Sequence, residues 1–193
     1  MGTGWRLSMN VFELAPVSLP TGAFAAAWFD DDACTWDDAR LHKADPLERG
    51  WEAPQLHLHR PSPSATPVLF NPNAVAVSDA VRSELSAFGE IEFLPVQIAE
   101  HGTYFILHVV ASIEIPKGCA VSQPSLGSNP GNVVLVHSFP PTFRSEHAFF
   151  RLLQPADSPA GRQRFCTRAS YLSPVGRDAI ESACAGFLHG KPL

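Results

Sequence analysis

Val77-Ser78-Asp79-Ala80-Val81-Arg82-Ser83-Glu84-Leu85 is echoed later in the chain by Leu172-Ser173-Pro174-Val175-Gly176-Arg177-Asp178-Ala179-Ile180. In each copy an apolar residue precedes a serine, and the serine precedes a short amphipathic run. The order is strand end, cap, helix. A serine hydroxyl in this position accepts a hydrogen bond from an amide of the first helical turn, which has no partner inside the helix. The third residue after Ser78 is Val81, not Glu or Gln, so the first copy has no full capping box. Val81, Leu85 and Phe88 fall at i, i+4 and i+7, the spacing of one buried stripe. They predict a helix from 79 to about 88, ended by Gly89. The second copy opens on Pro174, a residue favoured in a first turn, and predicts a helix over 174–184.

Working outward, the text on either side of the first helix reads as strands. Residues 68–70 and 74–77 are short apolar runs around the turn at Asn71-Pro72-Asn73. Residues 90–98 (EIEFLPVQI) and 103–115 (TYFILHVVASIEI) predict two longer strands, with His101-Gly102 as the hairpin turn between them. Pro95 has no N–H to give a ladder, which predicts an edge position or a bulge there. A loop rich in Gly, Ser and Pro is expected over 116–131, then strands over 132–139, 149–153 and 164–172. Residues 186–190 read as a tail. Locally paired strands followed irregularly by helices predict an α+β fold. It is a mostly antiparallel sheet with two short Ser-capped helices.

The first third is different in character. Residues 5–14 partly alternate and predict an opening strand. Beyond it the apolar, Ala-rich stretch 24–29 is interrupted by Asp30-Asp31-Asp32. Trp36, Trp51 and the prolines at 46, 54, 61 and 63 predict a coil-rich wrap anchored by aromatics. Residues 1–64 therefore read as an irregular N-terminal part of one domain spanning 1–193. Arg60-Pro61-Ser62-Pro63-Ser64 is the best linker candidate.

Composition limits the classes of function. The chain has 193 residues, 45 % hydrophobic and only 17 % charged, with a net charge of −5. It is long and apolar enough for a sizeable core. An acidic balance argues against a nucleic-acid binder, which presents a basic face. Cys34, Cys119, Cys166 and Cys184 form no C-x-x-C pair and read as free buried thiols in a reducing compartment. No apolar run reaches the length of a membrane span. The opening residues lack the basic and apolar segments of a signal peptide, and a cytoplasmic location is expected.

Few residues carry a chemical pattern. His57-Leu58-His59 puts two imidazoles on one face of a strand, as a metal pair would. A site needs further ligands, and no carboxylate cluster or Cys pair marks one. Asp30, Asp31, Asp32, Asp37 and Asp38 form an acidic run without the glycine and closing glutamate of an EF-hand. Its sharper reading is a contact for a basic partner, with Trp36 as an aromatic anchor. Gly127-Ser128-Asn129-Pro130-Gly131 lacks the spacing of a phosphate-cradling loop. The serines sit in no G-x-S-x-G elbow. His101, His108, His137 and His147 are scattered, and some are expected to be hydrogen-bonded structural residues. No catalytic residue, cofactor or metal is assigned.

Residues 65–193 carry a resemblance. Val77, Ser78 and Leu85 of the first helix precede Gly89 and the run Phe93-Leu94-Pro95. Tyr104 opens an aromatic strand, and Gly186-Phe187 closes the last helix. This order resembles the bacterial immunity-protein family eleven, whose genes lie beside those of polymorphic toxins and secretion-system effectors. The chain departs from the family pattern twice: the acidic residue expected soon after the aromatic strand appears here only as Glu114, and 15–64 has no counterpart. The resemblance implies a cytoplasmic protein that binds and neutralises one cognate toxin by occlusion. It assigns no catalytic residue. Two other classes stay open: a small metal-dependent hydrolase using His57 and His59, and a self-associating adaptor.

Overall fold

A computed structural model describes residues 10–30, 41, 45–59, 66–71, 74–99, 101–122, 125–126, 129–130, 135–153, 166–167 and 169–193. The chain opens with β1 (Phe12–Pro16), β2 (Ala27–Asp30), β3 (Gln55–Leu58), β4 (Val68–Asn71) and β5 (Ala74–Val77). Helix α1 (Asp79–Leu85) follows, then β6 (Ile91–Ile98), β7 (Gly102–Val109), β8 (Ser112–Glu114) and β9 (Ala120–Ser122). After β10 (Ser125–Leu126) and β11 (Asn129–Pro130) come β12 (Leu135–Ser138), β13 (Phe149–Leu153) and β14 (Tyr171–Leu172). Helix α2 (Pro174–Ala183) and β15 (Leu188–Pro192) end the chain. Strands dominate and most pairings are antiparallel, so the architecture is α+β.

Two larger sheets organise most of these strands, and β9–β12 and β10–β11 pair separately. A closed barrel runs β2-β3-β6-β7-β5-β4, and a five-stranded sheet runs β15-β1-β14-β13-β8. The β6–β7 hairpin is the barrel's longest ladder, from Ile91↔Val109 to Ile98↔Gly102. Its turn bends at Gly102, where φ is +85°, a conformation that favours glycine. Alternation along β6 sends Leu94, Val96 and Ile98 into the barrel, where they meet Phe29, Leu56, Leu69, Tyr104 and Ile106. Tyr104 also donates its hydroxyl to Thr66 O at 2.7 Å. The opposite face of β7 is buried too. Leu107 and Val109 join Phe12, Val81, Leu85, Phe149, Leu172 and Ile180 in a core shared by barrel, sheet and both helices. This two-sided burial explains the near-continuous apolar text of β7.

The repeated phrase is a repeated piece of structure. Val77 ends β5 and Leu172 ends β14. Ser78 and Ser173 stand at the N-caps of α1 and α2, with Val81 N and Gly176 N at 3.5 and 3.4 Å from their hydroxyl oxygens. The two helices pack on one another. The likeness extends one turn further. Arg82 lies 4.5 Å over the Phe105 ring, and Arg177 lies 4.6 Å over the Phe12 ring. Each arginine follows its cap by four residues and covers a strand beside its own helix.

Several expectations need correction. The irregular wrap contains regular strands: β2 and β3 complete the barrel, pairing in parallel with β4 and β6. Asp30 does not interrupt the apolar run but ends β2. Both strands are too short for their alternation to stand out, and their partners are distant in sequence. The opening strand is displaced to Phe12–Pro16, and residues 1–9 lie outside the described ones. Helix α1 stops at Leu85 with Ser86 as its C-cap, short of Gly89. Phe88 still packs inward, edge-on to Phe149 at 5.0 Å.

The strand expected over 103–115 is two. The chain leaves the barrel after Val109 and enters the other sheet as β8, pairing in parallel with β13. Strands β9, β10 and β11 occupy part of the expected loop, and β9 pairs with β12 as a ribbon. Of the strand expected over 164–172, Tyr171–Leu172 forms β14 and Cys166 bridges to Leu153. The expected tail is β15, paired along the whole of β1. Pro95 sits unbulged opposite Phe105. Its nitrogen faces the β3 side, where Gln97 N donates to Pro54 O just beyond the end of that strand. It is thus a local edge, as the missing N–H requires. The linker candidate at 60–64 lies outside the described residues.

Candidate functional site

The residues singled out for partner contact are mostly outside the described part. Asp31, Asp32, Trp36, Asp37 and Asp38 fall there. Asp30 ends β2, and its Cα is in register with His57 on β3. His57 and His59 are exposed, at the end of β3 and just past it. Among the described residues no group of three or more His, Cys, Asp or Glu is placed to hold a metal ion. The described free cysteines are Cys119, Cys166 and Cys184.

A concavity lies elsewhere among the described residues. A cleft of about 600 Å³ lies between the barrel and the five-stranded sheet. Strands β5 and β7 supply one wall, β1, β13 and β14 the other, and β12 part of the rim. Its size falls within the usual range for small-molecule pockets. The walls mix apolar residues, Leu14, Phe70 and Val75 among them, with the polar Glu13, His137, Ser170 and Lys191. Three polar side chains that line it are nonetheless buried: Asn71, His108 and Arg151.

Each buried polar group is positioned by its strand. Glu92 and His108 face each other across the β6–β7 ladder, on the faces that also carry Leu94 and Ile106. A carboxylate oxygen accepts, so His108 Nδ1–H donates to Glu92 Oε2, at 2.9 Å. The two side chains are 2 % and 11 % exposed. The same carboxylate accepts from Leu47 N at 2.8 Å and from Glu48 N. Glu92 thereby fastens the segment ahead of β3 to the barrel, and Trp51 adds a bond from its indole nitrogen to Pro95 O at 2.8 Å. Leu41 and Leu47 from this region join the barrel's core.

Arg151 answers from the sheet. It shares a face of β13 with Phe149. Nε and Nη2 donate to Thr167 O at 3.2 and 3.0 Å, and Nη1 donates to Leu41 O. Burial lowers its pKa, opposed by neighbouring Cys166, whose own thiol is pushed up by burial. Asn71 ends β4 and accepts from Ala74 N at 2.8 Å, closing the turn into β5. At the mouth, Lys191 Nζ stands 3.6 Å from Glu13 Oε2. On the ribbon, Ser122 Oγ and His137 Nε2 are 2.7 Å apart, and Val121 and Leu135 are each nearly half exposed.

Sequence reasoning passed over Glu92, Arg151 and Asn71, and placed His108 only among scattered histidines. The signal was present. Glu92 occupies the inward register of EIEFLPVQI, and His108 and Arg151 interrupt apolar strand text in YFILHVV and FFRLL. A charged residue on a strand's buried face must be hydrogen-bonded, and so marks a specific arrangement. Comparison of the chain with protein-family models and with curated protein sequences finds no match.

Proposed function

We propose that the chain is an immunity protein, which binds one cognate bacterial toxin or effector in the cytoplasm and neutralises it by occlusion. The observation that carries this reading is where the resemblance residues fall. Val77, Leu85, Leu94 and Tyr104 are buried in the two cores that the β6–β7 hairpin joins. Ser78 and Gly186-Phe187 stand at the two ends of the helix layer: one opens α1, the other turns the chain from α2 into β15. The reading is supported by the buried positions among those that carry the resemblance, which build this fold. They leave the surface free to vary with the partner.

The net charge of −5 favours a basic toxin surface. The acidic run that begins at Asp30 is the proposed steering element, with Trp36 as the anchor. The deciding experiment is co-expression with the product of the neighbouring toxin gene. Rescue of growth with a stable co-purified complex supports direct occlusion. Rescue without a complex points to an enzymatic antidote and brings back His57 and His59. Absence of rescue removes the immunity reading.

A further inference from the structure

We propose that the outer edge of β8 is a docking site for an extended segment of a second protein. The segment runs antiparallel to β8, with an apolar residue opposite Ile113 and a basic one opposite Glu114. Nothing in this inference depends on the immunity reading.

The form of the occupant comes from the barrel, because the five-stranded sheet repeats five of the barrel's six strands. The order β8-β13-β14-β1-β15 matches β2-β4-β5-β7-β6. The polarities agree. Pairs β2–β4 and β8–β13 are parallel, and the other pairings in both rows are antiparallel. The registers agree as well. Val77 pairs with Val68 and Phe105, and Leu172 pairs with Phe149 and Phe12. Pro95 stands opposite Phe105, and Pro192 opposite Phe12. Ser78 N donates to Pro67 O at 2.9 Å, and Ser173 N to Ala148 O at 3.0 Å. In this correspondence Phe29 answers to Ile113, and Asp30 to Glu114.

The sixth barrel strand, β3, is the one the sheet lacks among the described residues. It covers the outer edge of β2, antiparallel, with Leu58 opposite Phe29 and His57 opposite Asp30. Leu58 packs on the barrel's core. On β8 the same edge is open. Arg151 N donates to Ala111 O, so alternation turns the N–H and C=O of Ser112 and Glu114 away from β13. Among the described residues, none bonds to these outward groups. Ile113 and Ile115 pack on a second core around Phe150, Leu152 and Tyr171, where an incoming apolar side chain adds to them. Glu114 is exposed and has no ion pair among the described residues, so a basic side chain complements it. The opposite edge of the sheet, β15, is closed. Leu188 N donates to Cys184 O, Gly190 N donates to Glu181 Oε1, and Pro192 has no N–H. The site is therefore one edge, not two.

The test uses the full chain and a synthetic peptide of residues 53–60, APQLHLHR, which carries the β3 pattern. A second peptide carries His57→Lys. By nuclear magnetic resonance, the Ser112 and Glu114 amides of the free protein should exchange rapidly with solvent. Added peptide should slow both, with saturable one-to-one shifts of β8 resonances below about 1 mM. The His57→Lys peptide should bind about threefold tighter at low salt and lose that advantage at high salt. Ser112→Pro removes an outward N–H where a strand edge tolerates proline. It should weaken binding about fivefold at an unchanged circular dichroism spectrum and melting temperature. If that variant does not fold, Glu114→Lys decides in its place, by reversing the preference between the two peptides. Slow exchange of both amides in the free protein means that a segment of this chain already covers the edge, and overturns the proposal. A dimer that Ser112→Pro dissociates makes a second copy the occupant, and overturns it too. So does the absence of saturable binding, undiminished binding by Ser112→Pro, or an unchanged preference in Glu114→Lys.

Discussion

Gly176 lies so close to the carbonyl of Ala148 that an added Cβ would sit 2.1 Å from the oxygen. The same carbonyl accepts from Ser173 N at 3.0 Å, and Ala148 N donates to Glu90 Oε1 at 3.2 Å. The first turn of α2, the start of β13 and the approach to β6 therefore meet at one point. The second copy of the repeated phrase has glycine where the first has Val81, and this contact is the reason.

Gly176→Ala is accordingly expected to destabilise the protein. Backbone, not a flexible side chain, occupies the space, so helix α2 must shift off the sheet. The cost of such overpacking is about 2 kcal/mol. It would appear as a lower denaturant midpoint with an unchanged slope. Val81→Ala, the equivalent change in the first copy, costs a similar amount by the opposite route, a cavity. An unaltered midpoint in Gly176→Ala would contradict the close approach.

Glu92→Ala removes one acceptor from three donors: His108 Nδ1 and the amides of Leu47 and Glu48. The His108 and Leu47 donors stay at least partly buried and unmatched, which costs about 2–4 kcal/mol. The loss should be local before it is global. Amide hydrogen exchange in the 47–51 segment is expected to accelerate more than in the distant β1–β15 pair. Uniform acceleration across both regions would argue against Glu92 as the fastening point.

Stability should fall on the alkaline side. Burial, aided by Glu84, pushes the Cys184 thiol up to about 12. Burial, aided by Glu13, also raises Tyr171 above its ordinary value. Both groups hold their protons in the folded chain at a pH where the unfolded chain releases them. The unfolded state then binds fewer protons, so unfolding is favoured as pH rises. The contribution is whole below the ordinary thiol range and is lost between about pH 9 and pH 12. Denaturation midpoints across that window should decline, and Cys184→Ala should flatten part of the decline. A midpoint independent of pH there would refute the assignment.

Charge reversal of Asp30, Asp31, Asp32, Asp37 and Asp38 to lysine is expected to slow association with the toxin and to weaken the salt dependence of the rate. Steering acts on encounter more than on the formed complex. Stopped-flow measurements at two ionic strengths check this. An unchanged association rate would move the interface away from the acidic run.

Much of this fold was legible as text. The repeated phrase announced two helices opening directly from strand ends, because a serine between an apolar run and an amphipathic one has few other uses. The β6–β7 hairpin was legible because its partners are neighbours in the chain and Gly102 marks the turn. Strands β2, β3 and β15 were hidden. Each is four or five residues long, and each pairs with a segment far away in sequence, so no local period reveals it. The cleft was hidden for the same reason, since β5, β7, β13 and β14 bring its residues together from separate stretches.

The sequence by itself determined the helix starts, the α+β class, the apolar stripe that buries α1 and the place of Pro95 at an edge. These are matters of local sterics and of nearest neighbours along the chain. Only the tertiary structure decided that the first third completes a barrel, that residues 102–114 serve two sheets, that Glu92 pairs with His108 and that Thr167 and Leu41 hold Arg151. Those outcomes depend on which distant surfaces exclude water together, and a burial partner of that kind is absent from any one stretch of sequence.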